Sequence, residues 1–215
     1  AAEISDKAIE AVAARLKPGV TEMEVAWQLE RTMREMGSQS LPFEVIVGAG
    51  TNGALPHAKA SGYRLKAGEP IVIDMGARYQ GYSSDLTRTV CIGQPDALFI
   101  KIYGIVLKAQ ENAILHTVAG LNGVEADLLA RKIIIEAGYD SKFGHGLGHG
   151  VGLATHDPAP RLSPLAPNDP LVDGMVFSIE PGIYLPEWGG VRIEDLVTLE
   201  NGKVKLLSHA RKMVV

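Results

Sequence analysis

The feature of this 215-residue sequence that most constrains its fold is an internal duplication. An amphipathic helix predicted for residues 5–16 is followed by a second helix, which begins at Thr21 with a capping box and ends at Gly37. About a hundred residues later, a helix predicted for residues 99–117 is again followed by a capped helix, which ends at Gly138. The chain is therefore predicted to repeat one helix–helix unit.

A predicted β-ribbon follows each helix pair. Its outgoing strand ends on an acid, and its returning strand carries a second acid. The predicted strands span residues 70–74 and 82–90 in the first ribbon and 175–180 and 191–197 in the second, and the acids are Asp74, Asp85, Glu180 and Glu194. The repeat is too long for a solenoid, so the pattern predicts an α+β fold of two pseudo-symmetric halves, with helices packed on antiparallel sheet. No linker separates the halves, which indicates one domain.

The four strand acids are candidate metal ligands. An Asp or Glu within an apolar strand is costly to bury unless it is paired or bound to a metal. Pseudo-twofold packing would bring equivalent acids together, and four carboxylates in one pocket repel each other unless cations cancel their charge. The alternative, in which the acids face solvent or form salt bridges, suits a single strand acid better than four acids in a repeated pattern.

A glycine-rich segment at residues 143–157 supplies candidate nitrogen ligands. His145, His149 and His156 lie among glycines that allow the backbone to approach a site closely. The segment has no Gly-Lys-Ser/Thr ending and no dinucleotide fingerprint, which argues against phosphate binding. Histidine is the commonest metal ligand. Four carboxylates with one imidazole suit Mn²⁺, Co²⁺ or Fe²⁺ better than a structural zinc site.

The composition argues against several other classes of protein. No apolar run approaches the roughly 18 residues that a membrane span needs, and a net charge of −4 offers no basic surface for nucleic acid. A single cysteine, Cys91, excludes an intramolecular disulfide and is typical of a reducing cytoplasm, the expected location. The sequence begins Ala-Ala without an initiator methionine, so it is expected to be processed or part of something longer.

Together these motifs resemble the pita-bread metallopeptidases, the family of proline dipeptidase, aminopeptidase P and methionine aminopeptidase. The resemblance covers essentially the whole chain, and its most specific stretches are residues 74–89, 145–157, 178–184 and 190–195. It implies that residues 1–215 form a catalytic metallopeptidase domain with the pita-bread fold. It also implies that the N-terminal domain usual in the family is absent from this chain.

The resemblance implies two divalent metal ions, with manganese expected and cobalt, iron or zinc as alternatives. Asp85 and Glu194 would bridge the two ions. Asp74 would complete the coordination of one ion, and His149 and Glu180 would complete that of the other. A water activated by both ions would be the nucleophile.

The resemblance also implies roles for residues around the metals. His57 and His156 would contact the substrate, with His156 placed to stabilise the tetrahedral intermediate. Glu180 would carry a proton toward the leaving amine. His145 would line the pocket for proline, and Arg192 would orient the metal ligands. For Arg192, a plain ion pair with the acid two residues further along is the alternative.

The histidine segment favours the proline-directed branch over methionine aminopeptidase, because His145 and the spacing from His149 to His156 match that branch. The bond before proline is a tertiary amide without an N–H, so general peptidases handle it poorly. The expected activity is hydrolysis of the Xaa-Pro bond of dipeptides, that of an Xaa-Pro dipeptidase. The alternative is an aminopeptidase P, which acts on longer peptides.

Two weaker alternatives share the fold: a non-catalytic binding module and a metal-free hydrolase. Both typically lack the metal ligands, whereas all five are present here. The implied partners are a small peptide with proline in second position and a second copy in a homodimer, with no nucleic acid or membrane. A dipeptidase also needs a positive group near the proline carboxylate, which is expected from an N-terminal domain or a neighbouring subunit.

Overall fold

The computed structural model describes residues 1–212, and its elements repeat as the sequence predicts. The first half begins with helices α1 (Ala2–Ala13) and α2 (Glu22–Glu35). Its strands are β1 (Ile46–Ala49), β2 (Pro70–Met75), β3 (Arg78–Tyr79), β4 (Tyr82–Ser83) and β5 (Leu86–Cys91), with a short 3-10 helix (Gly50–Ala54) after β1.

The second half repeats this order and adds two strands. It begins with helices α3 (Ala97–His116) and α4 (Gly123–Glu136), followed by a 3-10 turn (Asp140–Lys142). Its strands are β6 (Gly148–Gly150), β7 (Asp157–Leu162), β8 (Val176–Ile179), β9 (Gly182–Leu185), β10 (Gly189–Arg192), β11 (Asp195–Glu200) and β12 (Lys203–Leu206). Strands β7 and β12 are the additions.

Both predicted capping boxes are present at the second helix of each half. The Thr21 side chain caps α2 with Glu24, and the Asn122 side chain caps α4 with Glu125. The first predicted helix is displaced, because α1 ends at Ala13 instead of continuing to residue 16. Pro18 disfavours helical backbone in the residue before it, and the chain then turns through Gly19 at a φ of 91°.

Each ribbon is a long hairpin that is broken in the middle. The outgoing strands end close to the predicted acids, but the returning strands, predicted as continuous over 82–90 and 191–197, are interrupted at residues 84–85 and 193–194. In the first ribbon β2 pairs with β5, and the inner strands β3 and β4 pair with each other. In the second ribbon β8 pairs with β11, and the inner strands β9 and β10 pair with each other. Pro181 has no N–H for the ladder. At Gly76 the strands approach so closely that a Cβ would overlap the Ser84 carbonyl oxygen. Asp85, Glu180 and Glu194 lie in the breaks, and Asp74 lies one residue before one of them.

Each half has its own hydrophobic core. Helices α1 and α2 pack on the three-stranded sheet β1-β2-β5, whereas α3 and α4 pack on β7–β10 of the second half, where the five-stranded sheet has the order β12-β11-β8-β6-β7. Buried residues of the first core include Ile9, Leu29 and Ile73, and those of the second include Phe99 and Phe177. The architecture is α+β with two pseudo-symmetric halves, as predicted.

The two halves meet behind the ribbon breaks. The backbone N–H of Glu194 donates to the carbonyl of Thr87 at 3.1 Å, which joins the returning strands of the two ribbons. This contact brings the strand acids of one half toward those of the other. Within residues 1–212, none of the helices is both long and apolar enough to cross a membrane.

Candidate metal centre

The ribbon breaks open into one cleft with a volume of about 550 Å³. Its walls come from both halves, together with the segment after β1 and the glycine-rich histidine segment. All nine predicted site residues line it: His57, Asp74, Asp85, His145, His149, His156, Glu180, Arg192 and Glu194.

Four of the five predicted ligands converge at the floor of the cleft. Asp85, His149 and Glu194 each offer a ligand atom, and these atoms lie within 4.8 Å of one another. The His149 Nε2 atom is 3.3 Å from Glu180 Oε1 and 3.7 Å from Asp85 Oδ2. This spacing gathers three carboxylates and one imidazole around a common space.

The fifth predicted ligand, Asp74, is held by Arg192. The Arg192 Nη2 atom donates to Asp74 Oδ2 at 2.7 Å, whereas the buried Asp74 Oδ1 has no hydrogen-bond partner among residues 1–212. The alternative of an ion pair between Arg192 and Glu194 is wrong. Strand β10 ends at Arg192, so the two side chains do not share a strand face, and Glu194 is bound by Thr87 instead.

The electrostatics of the cleft favour bound cations. Burial, followed by the neighbouring carboxylates, raises the pKa of Asp85 and of Glu194 well above their usual values. Burial raises the pKa of Glu180 to about 7. Burial lowers the pKa of His149, so its imidazole is neutral and offers a lone pair. Carboxylate oxygens, a neutral imidazole and the unpartnered Asp74 oxygen form a donor set that fits divalent metal ions.

Thr87 connects Glu194 to Arg192. Its hydroxyl donates to Glu194 Oε2 at 2.6 Å and accepts from Arg192 Nε at 3.1 Å. Thr87 is fully buried, so this bridge excludes water from the back of the site. The sequence motif contains Thr87, but nothing in the pattern predicted its partners.

A hydrogen-bond chain leads from Arg192 to the predicted proline pocket. Arg192 Nη1 donates to the Tyr184 hydroxyl at 2.9 Å, and that hydroxyl lies 2.9 Å from His145 Nε2. Because His145 Nδ1 faces the Gly146 carbonyl at 2.8 Å, Nδ1 carries the proton and Nε2 accepts from Tyr184. Burial, with the Arg192 charge, lowers the pKa of His145 to about 4, which agrees with a neutral ring.

The glycines of the histidine segment are required by close backbone contacts. A Cβ at Gly148 would overlap the carbonyl oxygen of Ser178 on β8, and one at Gly150 would overlap the carbonyl oxygen of Ala159. The glycines on either side of His149 therefore let β6 lie against its neighbours. The glycines were predicted to let the backbone approach a site; at Gly148 and Gly150 the close approach is to the backbone of neighbouring strands.

The family model of metallopeptidase family M24 matches residues 1–201. The chain belongs to metallopeptidase family M24.

The relatives of this M24 chain include named proline peptidases. An Xaa-Pro dipeptidase of Pyrococcus horikoshii is 44% identical over 215 residues, which is 100% of this chain and 61% of the relative. The solved Xaa-Pro dipeptidase from Bacillus anthracis matches with a TM-score of 0.97 and 42% identity, over 100% of this chain and 60% of that one. The X-Pro aminopeptidase from Thermotoga maritima matches with a TM-score of 0.95 and 42% identity, over 99% and 60%. The M24 chain thus spans about three fifths of the length of the curated relatives it matches.

The two predicted substrate-side histidines His57 and His156 are both exposed in the cleft of the M24 chain. The ring centroids of His149 and His156 are 4.0 Å apart. Partial burial, with His149 and His57 nearby, lowers the pKa of His156. The neighbouring Thr155 donates to the Pro42 carbonyl at 3.1 Å and so ties the histidine segment to the other half.

Arg161 is a cleft residue that the sequence analysis missed. It lies on β7 directly opposite His149 of β6, so the two side chains share a sheet face. It lines the cleft and is exposed, and within residues 1–212 its side chain makes no ion pair or hydrogen bond. The strand register needed to find it contains an irregularity after His149, which no sequence pattern indicates.

Proposed function

We propose that this M24 chain is the catalytic domain of a two-metal Xaa-Pro dipeptidase. The observation that carries the proposal is the cleft itself, in which Asp85, His149 and Glu194 offer ligand atoms within 4.8 Å of one another. Glu180 Oε1 and the unpartnered Asp74 Oδ1 add further donors. The names of the relatives support the choice of proline peptides as substrates.

In this proposal two ions would share Asp85 and Glu194 as ligands, Asp74 would hold one ion, and His149 and Glu180 would hold the other. Oxygen-rich coordination favours manganese, with cobalt, iron or zinc as alternatives. When bound, the ions would make a water acidic enough to attack at neutral pH and would polarise the peptide carbonyl.

The side chains of the chain would handle protons and position the substrate. Glu180, whose Oε1 atom lies 3.3 Å from His149 Nε2 on the floor of the cleft, would accept a proton from the attacking water and release it to the proline nitrogen as the bond breaks. His156 would donate a hydrogen bond to the oxygen that gains negative charge, and His57 would contact the substrate from the loop after β1. The neutral His145, fixed by Tyr184, would line the pocket for the proline ring.

The preference for dipeptides rests on Arg161. A dipeptide ends in a free carboxylate directly on the proline, and a planar guanidinium binds a carboxylate through two parallel hydrogen bonds. Arg161 lines the cleft opposite His149 and is free to make this contact. In a longer peptide the same position is an amide, which offers the arginine no charge.

Replacing Arg161 by alanine is expected to raise KM for an Xaa-Pro dipeptide by about 10–100-fold, because a charge-assisted hydrogen bond is lost. KM for a tripeptide with internal proline should change little. Lys59 is the matched control: it also lines the cleft, but it is 84% exposed and 3.8 Å from Glu44, so Lys59→Ala should leave both KM values nearly unchanged. Steady-state kinetics on both peptides measure these effects. An equal rise of KM for both peptides in Arg161→Ala would contradict the assignment.

Aminopeptidase P activity is the second candidate. It is favoured by the Thermotoga maritima X-Pro aminopeptidase, whose identity to this chain equals that of the Bacillus anthracis dipeptidase. Hydrolysis of a dipeptide ending in proline, compared with a tripeptide with internal proline, separates the two with Mn²⁺ present. Faster dipeptide cleavage supports the dipeptidase, and faster tripeptide cleavage supports the aminopeptidase. Cleavage of neither by the metal-loaded protein would contradict both.

The proposal also includes a homodimer located in the cytoplasm. The family resemblance supports a homodimer, and the single Cys91, which is only partly exposed, supports a reducing cytoplasm. Sedimentation analysis of the purified chain tests the dimer, and a monomer at micromolar concentration would contradict it.

A further inference from the structure

The second helix of each half carries a fully buried acid that does not line the cleft. Glu22 is the first residue of α2 and is 0% exposed. Asp127 is the fifth residue of α4 and is 1% exposed. A buried carboxylate is retained only where hydrogen bonds or charges compensate its desolvation. In both acids at least one compensating group is a backbone N–H from a segment that carries a cleft histidine.

Glu22 holds the two ends of the segment from residue 49 to residue 61. Its Oε1 accepts from the backbone N–H of Ala49 at 2.8 Å, and its Oε2 accepts from the backbone N–H of Ser61 at 2.9 Å. The Ser61 hydroxyl donates to Oε2 at 2.6 Å, and the Asn52 amide donates to Oε1 at 3.0 Å. The loop is therefore closed around one carboxylate, and His57 lies between its ends.

The same loop contacts the metal side of the cleft. The Pro56 carbonyl accepts from Arg192 Nη1 at 3.2 Å. Gly53 lies against Gly190 of β10 so closely that a Cβ on Gly190 would overlap the Gly53 carbonyl oxygen. A shift of the loop would therefore displace His57 and the support of Arg192 together.

Asp127 holds the histidine segment of the second half. Its Oδ1 accepts from the backbone N–H of Leu147 at 2.9 Å, and both of its oxygens bind Arg131. Arg131 in turn donates to the carbonyls of Phe143 at 3.0 Å and His145 at 2.7 Å. Three successive contacts thus fix the backbone on both sides of His145.

We propose that Glu22 and Asp127 are positioning residues, each of which holds the substrate-side histidine of its own half. Glu22 positions His57 by binding both ends of the loop that carries it, and Asp127 positions His145 through Arg131. The two acids occupy different places on their helices, so they are not duplicated copies of one residue. Each half therefore holds its histidine through a different acid. The catalytic consequence rests on the proposed function, whereas the structural consequence does not.

Hydrogen exchange on the metal-free protein tests the structural consequence. Glu22→Gln keeps the shape of the side chain but places an amide donor against backbone donors, so amides of residues 49–61 should exchange about tenfold faster or more. Residues 143–147 should be unaffected. Asp127→Asn should accelerate exchange in residues 143–147 and leave residues 49–61 unaffected. If each variant changed the exchange of residues 49–61 and of residues 143–147 to a similar extent, the proposal would be overturned.

Two further variants serve as controls for the hydrogen-exchange test. Glu24→Gln alters the exposed capping acid two residues away and should leave the exchange of residues 49–61 unchanged. Ser61→Ala removes one donor to Glu22 and should accelerate exchange in the same loop, although less, even where Glu22→Gln fails to fold. Unchanged exchange in Ser61→Ala would count against Glu22 as the anchor.

A double-mutant cycle tests the catalytic consequence on proline peptides with Mn²⁺. Glu22→Gln should lower kcat/KM about tenfold or more in the wild type, but clearly less in the His57→Ala background, because the positioned histidine is already absent and only the loop's support of Arg192 is left to lose. Glu22→Gln should keep its full effect in the His145→Ala background. Asp127→Asn should lose effect in the His145→Ala background and keep it in the His57→Ala background. Additive effects in the matched pairs would refute the positioning roles. If the wild type cleaves no proline peptide, the proposed function fails, and hydrogen exchange still decides the positioning.

Discussion

Replacing Glu194 by alanine is expected to remove both metal ions or lower their occupancy sharply, and to reduce peptide hydrolysis by at least about 1,000-fold. Glu194 is 2% exposed and shares the floor of the cleft with Asp85 and His149. As the proposed bridging ligand it would serve both ions, so its loss affects both sites at once. Metal analysis after dialysis, with kinetics on a proline dipeptide, measures the two effects.

The matched control for this variant lies on the adjoining strand. Glu200 ends β11 and forms an exposed pair with Lys205 at 2.6 Å, and an exposed ion pair contributes little. Glu200→Ala should therefore keep full metal content and activity. If a two-metal site survived in Glu194→Ala, the bridging assignment would be wrong.

Replacing Arg88 by methionine is expected to lower the free energy of unfolding by about 3–5 kcal/mol, because one partner of a buried ion pair is lost. Arg88 is 1% exposed, and its Nη2 donates to Asp195 Oδ1 and to the Ala210 carbonyl, both at 2.6 Å. It also donates to the Glu194 carbonyl, and so supports a proposed ligand from behind. Denaturant titration of the metal-free protein measures the loss.

Asp195 explains why the loss should be large. Burial alone would raise the pKa of this carboxyl, but the charges of Arg88 and Lys212 outweigh burial and hold its pKa below the usual value. Without Arg88, the buried Asp195 carboxylate keeps Gln110 and Lys212 as its partners within residues 1–212. Arg211→Met is the control, because Arg211 is 85% exposed and its 3.5 Å pair with Glu10 should contribute less than about 1 kcal/mol. A loss below about 1 kcal/mol in Arg88→Met would contradict this account.

The repeated part of the site was predictable from sequence. Asp74, Asp85, Glu180 and Glu194 occupy corresponding places in two copies of one ribbon, and periodicity alone locates strands and helix caps. The interruptions of the strands were not predictable from alternation, because they depend on a close crossing at Gly76 and on a missing N–H at Pro181.

The supporting residues were not predictable, because their partners are far away in sequence. Glu22 binds Ser61, and Thr87 binds Glu194, which is 107 residues away. A buried acid at the start of a helix reads as an ordinary capping or dipole residue. Arg161 faces His149 only through the register of β6 and β7. Local pattern cannot reveal such contacts, which exist only once the two halves and their loops have packed.

The central claim is that the cleft binds two divalent ions and uses them to cleave the Xaa-Pro bond. Its most direct test is the rate of hydrolysis of a proline-terminated dipeptide, measured while Mn²⁺ is titrated into metal-free protein and bound metal is counted. Activity should rise as binding approaches two ions per chain, disappear with a chelator and return when metal is restored. Full hydrolysis by metal-free protein, or none with two ions bound, would contradict the claim.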